Sequence, residues 1–413
     1  MIRSTSKIAL LASFSVAVSG AVAAAQDSDP NAGTIDQVQL NDVWAEMDVY
    51  VPAYTGQAAS TSTAVGNNAA ALRISGDVSS EISQDFDASA SAVNGLRGYA
   101  AGTALATTTA YGNASSGGTD YGNNTYRAQQ NAAGSIDAQT RVELAGAYDG
   151  AAATTAIANV SSTDNNFGES DTDQVQQSAA NVSAETDADM AINGYYASFA
   201  TTAGANATSA TGYTSTSTNR ARQTTAAGST VQASTDVYMQ DGTNVSSVTN
   251  AFGNSATVNN EWGYATLGQE GAPTEQTNGA DVDAQSWVTL DQWSGYATSS
   301  AYGVGNSALI SNVGSDTVMY ANQTNDGTVG SQASFSGQSW TGGTGSVAAT
   351  SIGNAATATV CNYCSDAAVG GRVNQTNNGQ VYAYGQASST YGNAITGSAT
   401  AIGNAATIQS AGD

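Results

Sequence analysis

One short pattern recurs along the sequence from residue 65 to its end. An apolar or aromatic residue precedes Gly-Asn, and small residues then alternate with Thr or a β-branched residue, as in 351–360. Gly and Asn enter left-handed backbone conformations more readily than other residues, so the pair predicts a tight corner before an extended run. The predicted corners are Gly66 and Asn67, Gly112 and Asn113, Gly253 and Asn254, Gly305 and Asn306, Gly353 and Asn354, and Gly403 and Asn404. Because the corner recurs, we expect the fold unit to recur with it.

A second marker, a Gln that Thr or Asn often follows, recurs at intervals of 45 to 53 residues. Its positions are Gln39, Gln84, Gln130, Gln177, Gln223, Gln276, Gln323 and Gln375. Two markers that hold one phase indicate tandem duplication, here eight repeats of about 47 residues. In the third and fourth copies the Gly-Asn motif is degenerate, since Ala158-Asn159 lacks the Gly and Gly204-Ala205-Asn206 carries an inserted residue. We predict that the stacked amides form hydrogen-bonded ladders, as in cross-β assemblies.

The segments between the turns alternate with a period of two residues, for example in 286–290 and 380–384. This period is typical of strands, and no convincing amphipathic helix follows the N-terminal segment. We therefore predict an all-β fold, a single repeat solenoid like a parallel β-helix over residues 36–413. With two rungs in each repeat, sixteen rungs at about 4.8 Å would give a rod of about 75 Å.

Residues 1–25 have the features of a secretory signal peptide. Arg3 and Lys7 supply the positive charge, an apolar segment follows, and small residues predict cleavage between Ala25 and Gln26. A polar leader of residues 26–35 would then precede the repeats. No later stretch is apolar enough to span a bilayer as a helix, so we expect an exported protein.

The charge of the chain argues against several partners. The formal net charge is -24, and a nucleic-acid ligand requires clustered Lys and Arg, so we expect no nucleic acid. Leu, Ile, Val and Phe make up roughly one residue in seven, a level that in a chain of high net charge also fits disorder. The regular repeat and the presence of only 3 Pro favour a thin interior of Ala, Ser and Thr instead.

Residues for catalysis and for cofactors are scarce. The chain has no His, and its one Lys lies in the predicted signal peptide, so we predict no catalytic residue, no cofactor and no metal. Alternating carboxylates at 169–173, 185–189 and 281–283 could hold a divalent cation weakly, but a solvated strand face is the favoured interpretation. Cys361 and Cys364 are a candidate local disulfide, with free thiols as the alternative and a redox or metal site less favoured.

Aromatic residues are the remaining candidates for recognition. Such rows could stack on sugar rings or protein surfaces, or fill corners between rungs, and the sequence favours neither interpretation. Those that precede Gly are Tyr111, Tyr121, Phe167, Phe252 and Tyr391, and the tryptophans of the strand segments are Trp44, Trp262, Trp287, Trp293 and Trp340.

The Gly-Asn-x-Ala run with its Gln and Asn markers resembles the curlin repeat of functional bacterial amyloids. The full mature chain, acidic, free of Lys and rich in Ala, Thr, Asn and Gly, resembles the holdfast anchor proteins HfaD of stalked alphaproteobacteria. That resemblance implies a structural protein of the outer membrane and cell surface that anchors an adhesive polysaccharide, the holdfast. The implied partners are a curlin-like anchor subunit and a secretion lipoprotein. Self-assembly through exposed sheet edges is a further hypothesis.

Two alternatives stay open at this point. Residues 401–407 are also similar to the rolls of trimeric autotransporter heads, although those repeat on a shorter period and end in a membrane barrel. A β-helical polysaccharide-active enzyme would use the carboxylate pairs, and 261–275 or 338–345 would then hold its cleft.

Overall fold

The computed structural model describes residues 32–339, 343–361 and 366–411, and within these ranges every named element is a β-strand. The predicted all-β solenoid is confirmed. The strands are β1 (Ala32–Gln39), β2 (Val43–Val51), β3 (Thr55–Arg73), β4 (Val78–Thr119), β5 (Asn124–Ser178), β6 (Asn181–Thr225), β7 (Thr230–Glu261), β8 (Ala265–Leu267), β9 (Thr274–Asn278), β10 (Asp281–Val313), β11 (Thr317–Asn325), β12 (Val329–Ser339), β13 (Thr344–Cys361), β14 (Val369–Asn377), β15 (Val381–Thr390) and β16 (Ala394–Ala411). The predicted signal peptide, including Ala25 and Gln26, lies outside the described residues. β1 begins at Ala32, four residues before the predicted start of the repeats.

All pairings between named strands are parallel, and each strand pairs with the segment one repeat further along the chain. Gln84 lies opposite Gln130, and Asn113 lies opposite Asn159, each 46 residues later. β5 is 55 residues long and therefore extends over more than one complete coil.

Each repeat contributes one coil of the solenoid. This corrects the expectation of two rungs in each repeat, because the strand of one repeat pairs directly with the equivalent strand of the next. Eight coils at about 4.8 Å give a rod of about 38 Å instead of 75 Å. The first coil consists of β1, β2 and β3, and the last of β14, β15 and β16. We call these positions the Gln face (β1, β14), the middle face (β2, β15) and the Gly-Asn face (β3, β16).

The interior is narrow and is filled by columns of small and β-branched side chains. Inward and outward residues alternate along each strand, as in β10. A column on the middle face shows the pattern, since its residues are opposite one another in register and are buried. Its members are Ala90, Ile136, Val182, Val231, Val282 and Val329. Trp293, Tyr126, Phe86, Phe199 and Phe335 are the largest fully buried side chains.

The Gly-Asn pairs lie inside long strands, and their glycines are not among the residues with positive φ. The prediction of a left-handed backbone conformation at the Gly-Asn pairs is therefore wrong. The alternation of inward and outward residues shifts by one position at the pair. Ser351 and Gly353 are buried before the shift, and Asn354 and Ala356 are buried after it. A Cβ on Gly305 would lie 2.5 Å from the carbonyl oxygen of Gly353 and closer still to an amide oxygen, so the position lacks room for any side chain.

We predict that Gly305→Ala lowers the free energy of unfolding by about 1–3 kcal/mol, because the methyl group would push against the backbone of the next coil. Gly56→Ala is the matched control, since a Cβ there would meet nothing within 4 Å. We expect the control to stay within about 0.5 kcal/mol of the parent. Guanidinium unfolding followed by circular dichroism compares the two, and equal midpoints would contradict the steric explanation.

Candidate functional site

The Gln residues form one column through all eight coils. In each coil after the first, the Nε2 of the Gln donates to the Oε1 of the Gln in the preceding coil, at 2.7 to 2.9 Å. The column consists of Gln37, Gln84, Gln130, Gln176, Gln223, Gln276, Gln323 and Gln375.

The structure places two of the predicted Gln residues outside this column. Gln39 lies opposite Phe86, two positions beyond the column, and its side chain donates to the carbonyl of Asn41. Gln177 follows Gln176 directly, so the alternation of the strand turns its side chain to the exposed side. Gln37 and Gln176 take their places.

The Asn residues of the Gly-Asn pairs form a second column, with amide contacts of 2.7 to 2.9 Å. Here each Nδ2 donates to the Oδ1 of the following coil, the direction opposite to that of the Gln column. The third and fourth copies, in which the Gly-Asn motif is degenerate, retain the Asn, so the column is complete. Its members are Asn67, Asn113, Asn159, Asn206, Asn254, Asn306, Asn354 and Asn404.

Hydrogen bonds across the interior also join each column to the backbone beside the other column. Gln84 donates its second amide hydrogen to the carbonyl of Ala114, the residue after Asn113. Asn113 in turn donates to the carbonyl of Asn131, the residue after Gln130. The same pair of bonds recurs from coil to coil, as with Gln276 to the carbonyl of Ser307. These amides are therefore occupied by the fold, and we assign them a structural role.

A third line of polar groups was missed from the sequence. Seven buried threonines are linked in one chain by hydroxyl–hydroxyl hydrogen bonds of 2.6 to 2.7 Å across the interior. They are Thr108, Thr140, Thr154, Thr186, Thr201, Thr235 and Thr249. Alternate members come from two facing columns, and their spacings of 14 to 15 and 32 to 34 residues are hard to see in a Thr-rich sequence.

The aromatic candidates divide into interior and surface residues. Tyr111 and Trp293 are buried, and burial raises the pKa of the Tyr111 phenol. Phe252 and Trp287 are half-buried. Trp340 lies outside the described residues. The exposed candidates are Trp44, Tyr121, Phe167, Trp262 and Tyr391.

Three of these exposed residues lie together at one corner of successive coils, and we call them, with Tyr213, the aromatic strip. The rings of Tyr121 and Phe167 are stacked, with centroids 5.3 Å apart and planes 3° apart. Phe167 meets Tyr213 edge to face at 5.6 Å. Trp262 occupies the same corner one coil further on, because Gly168 and Gly263 both lie against Ser215. The four side chains remain 43 to 60% exposed.

The backbone holds two of these rings in a costly conformation. Phe167 has a φ of 57° and Trp262 a φ of 61°, in the left-handed region that bulky residues avoid. Close backbone contacts fix this geometry, since the glycine after each of them leaves no room for a Cβ. Strain of this kind concentrates at ligand-binding positions, where it orients a side chain for contact.

A cleft of about 410 Å³ runs beside the strip, within the size range of small-ligand sites. Two rows of outward-facing residues line it on four successive coils. The rows are Asp164, Thr211, Asn259 and Ser311, and Asn166, Tyr213, Glu261 and Val313. Thr211 donates to Asp164 at 2.9 Å, and Asn166 donates to Asp120 at 3.1 Å. The cleft thus offers carboxylate and amide groups next to partly exposed aromatic rings, the two types of group that bind a sugar.

The predicted carboxylate runs lie on outward strand positions. Arg222 pairs with Asp173, and Arg141 lies 3.5 Å from Asp187. Among the described residues, no group of three or more His, Cys, Asp or Glu is arranged to hold a metal ion. Asp236 lies opposite Asp187 in the neighbouring coil, and burial, with the charges of Asp187 and Glu185, raises its pKa above the usual 3.8.

We predict that Asp236→Asn stabilises the protein at pH 7 by less than about 1 kcal/mol, because it removes a charge that is partly buried and that faces the carboxylate of Asp187. A pKa that is higher in the folded state means that the favourable contribution of the protonated acid is present below about pH 4. That contribution is lost as the pH rises through the folded pKa. The gain in the free energy of unfolding from Asp236→Asn should therefore be absent at about pH 3.5. Chemical unfolding at both pH values measures this, with Asp36→Asn, exposed and opposite Ser83, as the control. An equal gain at the two pH values would refute the electrostatic cause.

Cys361 ends β13 and is half-buried, and Cys364 lies outside the described residues. The candidate disulfide between them stays a prediction. No helix in the described ranges has the length and apolar character needed to cross a membrane.

Comparison with known proteins gives one family. The model of the family described as HfaD, Holdfast attachment protein D, matches residues 52–330, which include the aromatic strip and the cleft. No curated protein and no solved structure matches the chain.

Proposed function

The chain belongs to the holdfast attachment protein D family, and from this membership we propose that its aromatic strip and cleft hold the adhesive polysaccharide of the holdfast at the bacterial surface. The family resemblance inferred from the sequence is thereby confirmed. A holdfast attachment protein acts at the cell surface in a structural role, which agrees with the expectation of a non-enzymatic protein.

The observation that carries the proposal is the alignment of exposed rings with a polar cleft. Sugar rings present apolar faces that pack on aromatic rings, and their hydroxyls donate to carboxylate and amide oxygens. Tyr213 lines the cleft, Phe167 and Trp262 are partly exposed at the same corner, and Asp164 and Glu261 supply acceptors in the cleft. Because the coils repeat at about 4.8 Å, a linear chain lying along the rod axis would meet several such positions in succession.

The charge of the cleft favours a particular class of polysaccharide. The lining residues include Asp164 and Glu261 and neither Lys nor Arg, on a chain with a formal net charge of -24. An anionic polysaccharide would be repelled, whereas a neutral or positively charged one would not. We therefore propose a neutral or amine-bearing polysaccharide as the ligand.

The remaining steps of the attachment are proposals of the same kind. The rod would sit at the outer membrane with a curlin-like anchor subunit and a secretion lipoprotein. Its side-chain ladders support this use, because a load on the strip spreads through hydrogen bonds that join every inner coil to both of its neighbours. Binding through many weak contacts needs no catalytic group.

We predict that Phe167→Ala combined with Trp262→Ala weakens binding of the mature protein to isolated holdfast polysaccharide tenfold or more. Each lost ring contact costs about 1 kcal/mol, which is about fivefold in affinity. Tyr391→Ala is the matched control, because Tyr391 is 72% exposed, also has a positive φ and lies outside the strip. Biolayer interferometry with immobilised protein measures the affinities. Equal losses in the control and the double variant would refute the assignment of the strip.

In cells, a strain whose only copy carries the double substitution should display the protein but shed its adhesive into the medium. Lectin or dye staining of cells and of washed surfaces measures shedding, and immunolabelling measures display. Retention of the adhesive at parental levels would contradict the proposal. Purified parent protein should release no reducing ends from the polysaccharide, and their release would favour the enzyme alternative.

A further inference from the structure

The two ends of the solenoid carry complementary halves of the same hydrogen bonds. In the Gln column every amide donates towards the N-terminal end, so the last member, Gln375, has an Oε1 that no donor reaches within the described residues. At the other end, Gln37 donates one amide hydrogen to the carbonyl of Asn68, and no acceptor for its second amide hydrogen lies within residues 32–339, 343–361 and 366–411. The free donor of the first coil therefore matches the free acceptor of the last.

The Asn column runs in the opposite direction and gives the same result. Asn404 accepts from Asn354, and Asn67 donates to Asn113. In the part of the chain that the structure describes, the amide hydrogens of Asn404 have no acceptor and the Oδ1 of Asn67 has no donor. Here the last coil offers the donor and the first coil the acceptor. Both columns would continue without a break if the first coil of a second copy followed the last coil of this one.

The register of the ends agrees on all three faces. On the Gln face, Gln37 and Gln375 belong to one column, 338 residues apart. On the middle face, Val43 and Val381 end the column through Ala90 and Val329, also 338 residues apart. On the Gly-Asn face, the interval from Asn67 to Asn404 is 337 residues. A single placement of one end on the other thus aligns every strand.

Inward-facing apolar residues are only half-buried at both ends, and the same register pairs them. The pairs across the proposed contact are Ile35 with Val373, Val43 with Val381, Ala45 with Ala383, and Val49 with Ala387. In the inner coils the equivalent residues of these columns are fully buried, for example Val182 and Val231. Stacking would give the terminal residues the burial that the inner ones already have.

Charge does not oppose this contact. The first coil carries Asp36, Asp42, Glu46, Asp48 and, at the end of β3, Arg73, whereas the last coil, 367–411, carries Arg372 as its single charged residue. In the register above, the four carboxylates meet Asn374, Gln380, Tyr384 and Gln386. No carboxylate meets another, although the chain as a whole is strongly acidic.

We propose that copies of this protein stack end to end, with β1, β2 and β3 of one copy pairing in parallel register on β14, β15 and β16 of the next. The product is a continuous solenoid whose length grows by about 38 Å with each copy. Among the described strands, β1 and β2 each pair with β4 only, β14 with β11 only and β15 with β12 only, so their outer edges can supply the backbone bonds. The two amide columns fix the order of the copies.

Cysteine cross-linking between different molecules tests the register. Asp36→Cys and Asn374→Cys form one matched pair, and Glu46→Cys and Tyr384→Cys form the other, each in a Cys361→Ser, Cys364→Ser background. All four positions are exposed, so the substitutions leave the core intact. In-register residues on adjacent strands are about 4.8 Å apart, within the range that a disulfide spans.

Equimolar mixtures of single-cysteine proteins should form disulfide-linked dimers in the two matched combinations. The crossed combinations, Asp36→Cys with Tyr384→Cys and Glu46→Cys with Asn374→Cys, place the thiols on different faces and should link at least tenfold less. The parent protein should show concentration-dependent sedimentation and rods of stepwise length by electron microscopy. A parent that stays a single copy at every concentration, or matched and crossed pairs that link equally, would overturn the proposal and indicate another occupant of the ends.

Discussion

The structure depends on the pairing of buried side-chain amides along the solenoid axis. Gln130 and Asn159 are both fully buried in a narrow interior, where an unpaired amide would cost several kcal/mol. Each finds one partner in a neighbouring coil and another across the interior. Since no coil satisfies its own amides, a single repeat cannot be stable, and tandem repetition is a physical requirement of this interior.

The same columns explain why the repeats vary in length without losing register. Between Gln223 and Gln276 the interval is 53 residues, and the extra residues are confined to 268–273, where Gln269 and Ala272 form a local bridge. The strands before and after this segment keep their pairing. Insertions are thus tolerated where the chain turns outside the columns, and the columns themselves stay continuous.

The sequence predicts this fold well because the columns are built from Gln residues and Gly-Asn pairs that recur with one common period and can therefore be recognised as markers. It predicts individual positions less well, because neighbouring Gln residues differ only in strand parity. Gln176 enters the column and Gln177 does not. Parity depends on pairing across coils, which the repeat length alone does not give. The prediction of two rungs in each repeat was wrong for the same reason, because the repeat length does not show which strands pair.

The aromatic residues show this limit most clearly. Tyr111 and Tyr121 both precede Gly-Asn, yet Tyr111 is buried and Tyr121 is 60% exposed. Asn113 follows the first within a long strand and joins the Asn column, whereas Tyr121 lies at the corner between β4 and β5. The tripeptide is identical, and only its phase relative to the Gln column separates an interior residue from a member of the strip.

The opposite directions of the two amide columns also restrict how copies can meet. An inverted copy that met the last coil would bring acceptor to acceptor in the Gln column and donor to donor in the Asn column, and at the first coil the two columns would exchange these roles. It would also place the strands of the two copies antiparallel, which breaks the pairing that every inner coil uses. The interior therefore defines a direction along the rod. A surface feature such as the strip, set on the outer side of the coils, would keep one orientation along any stack of copies.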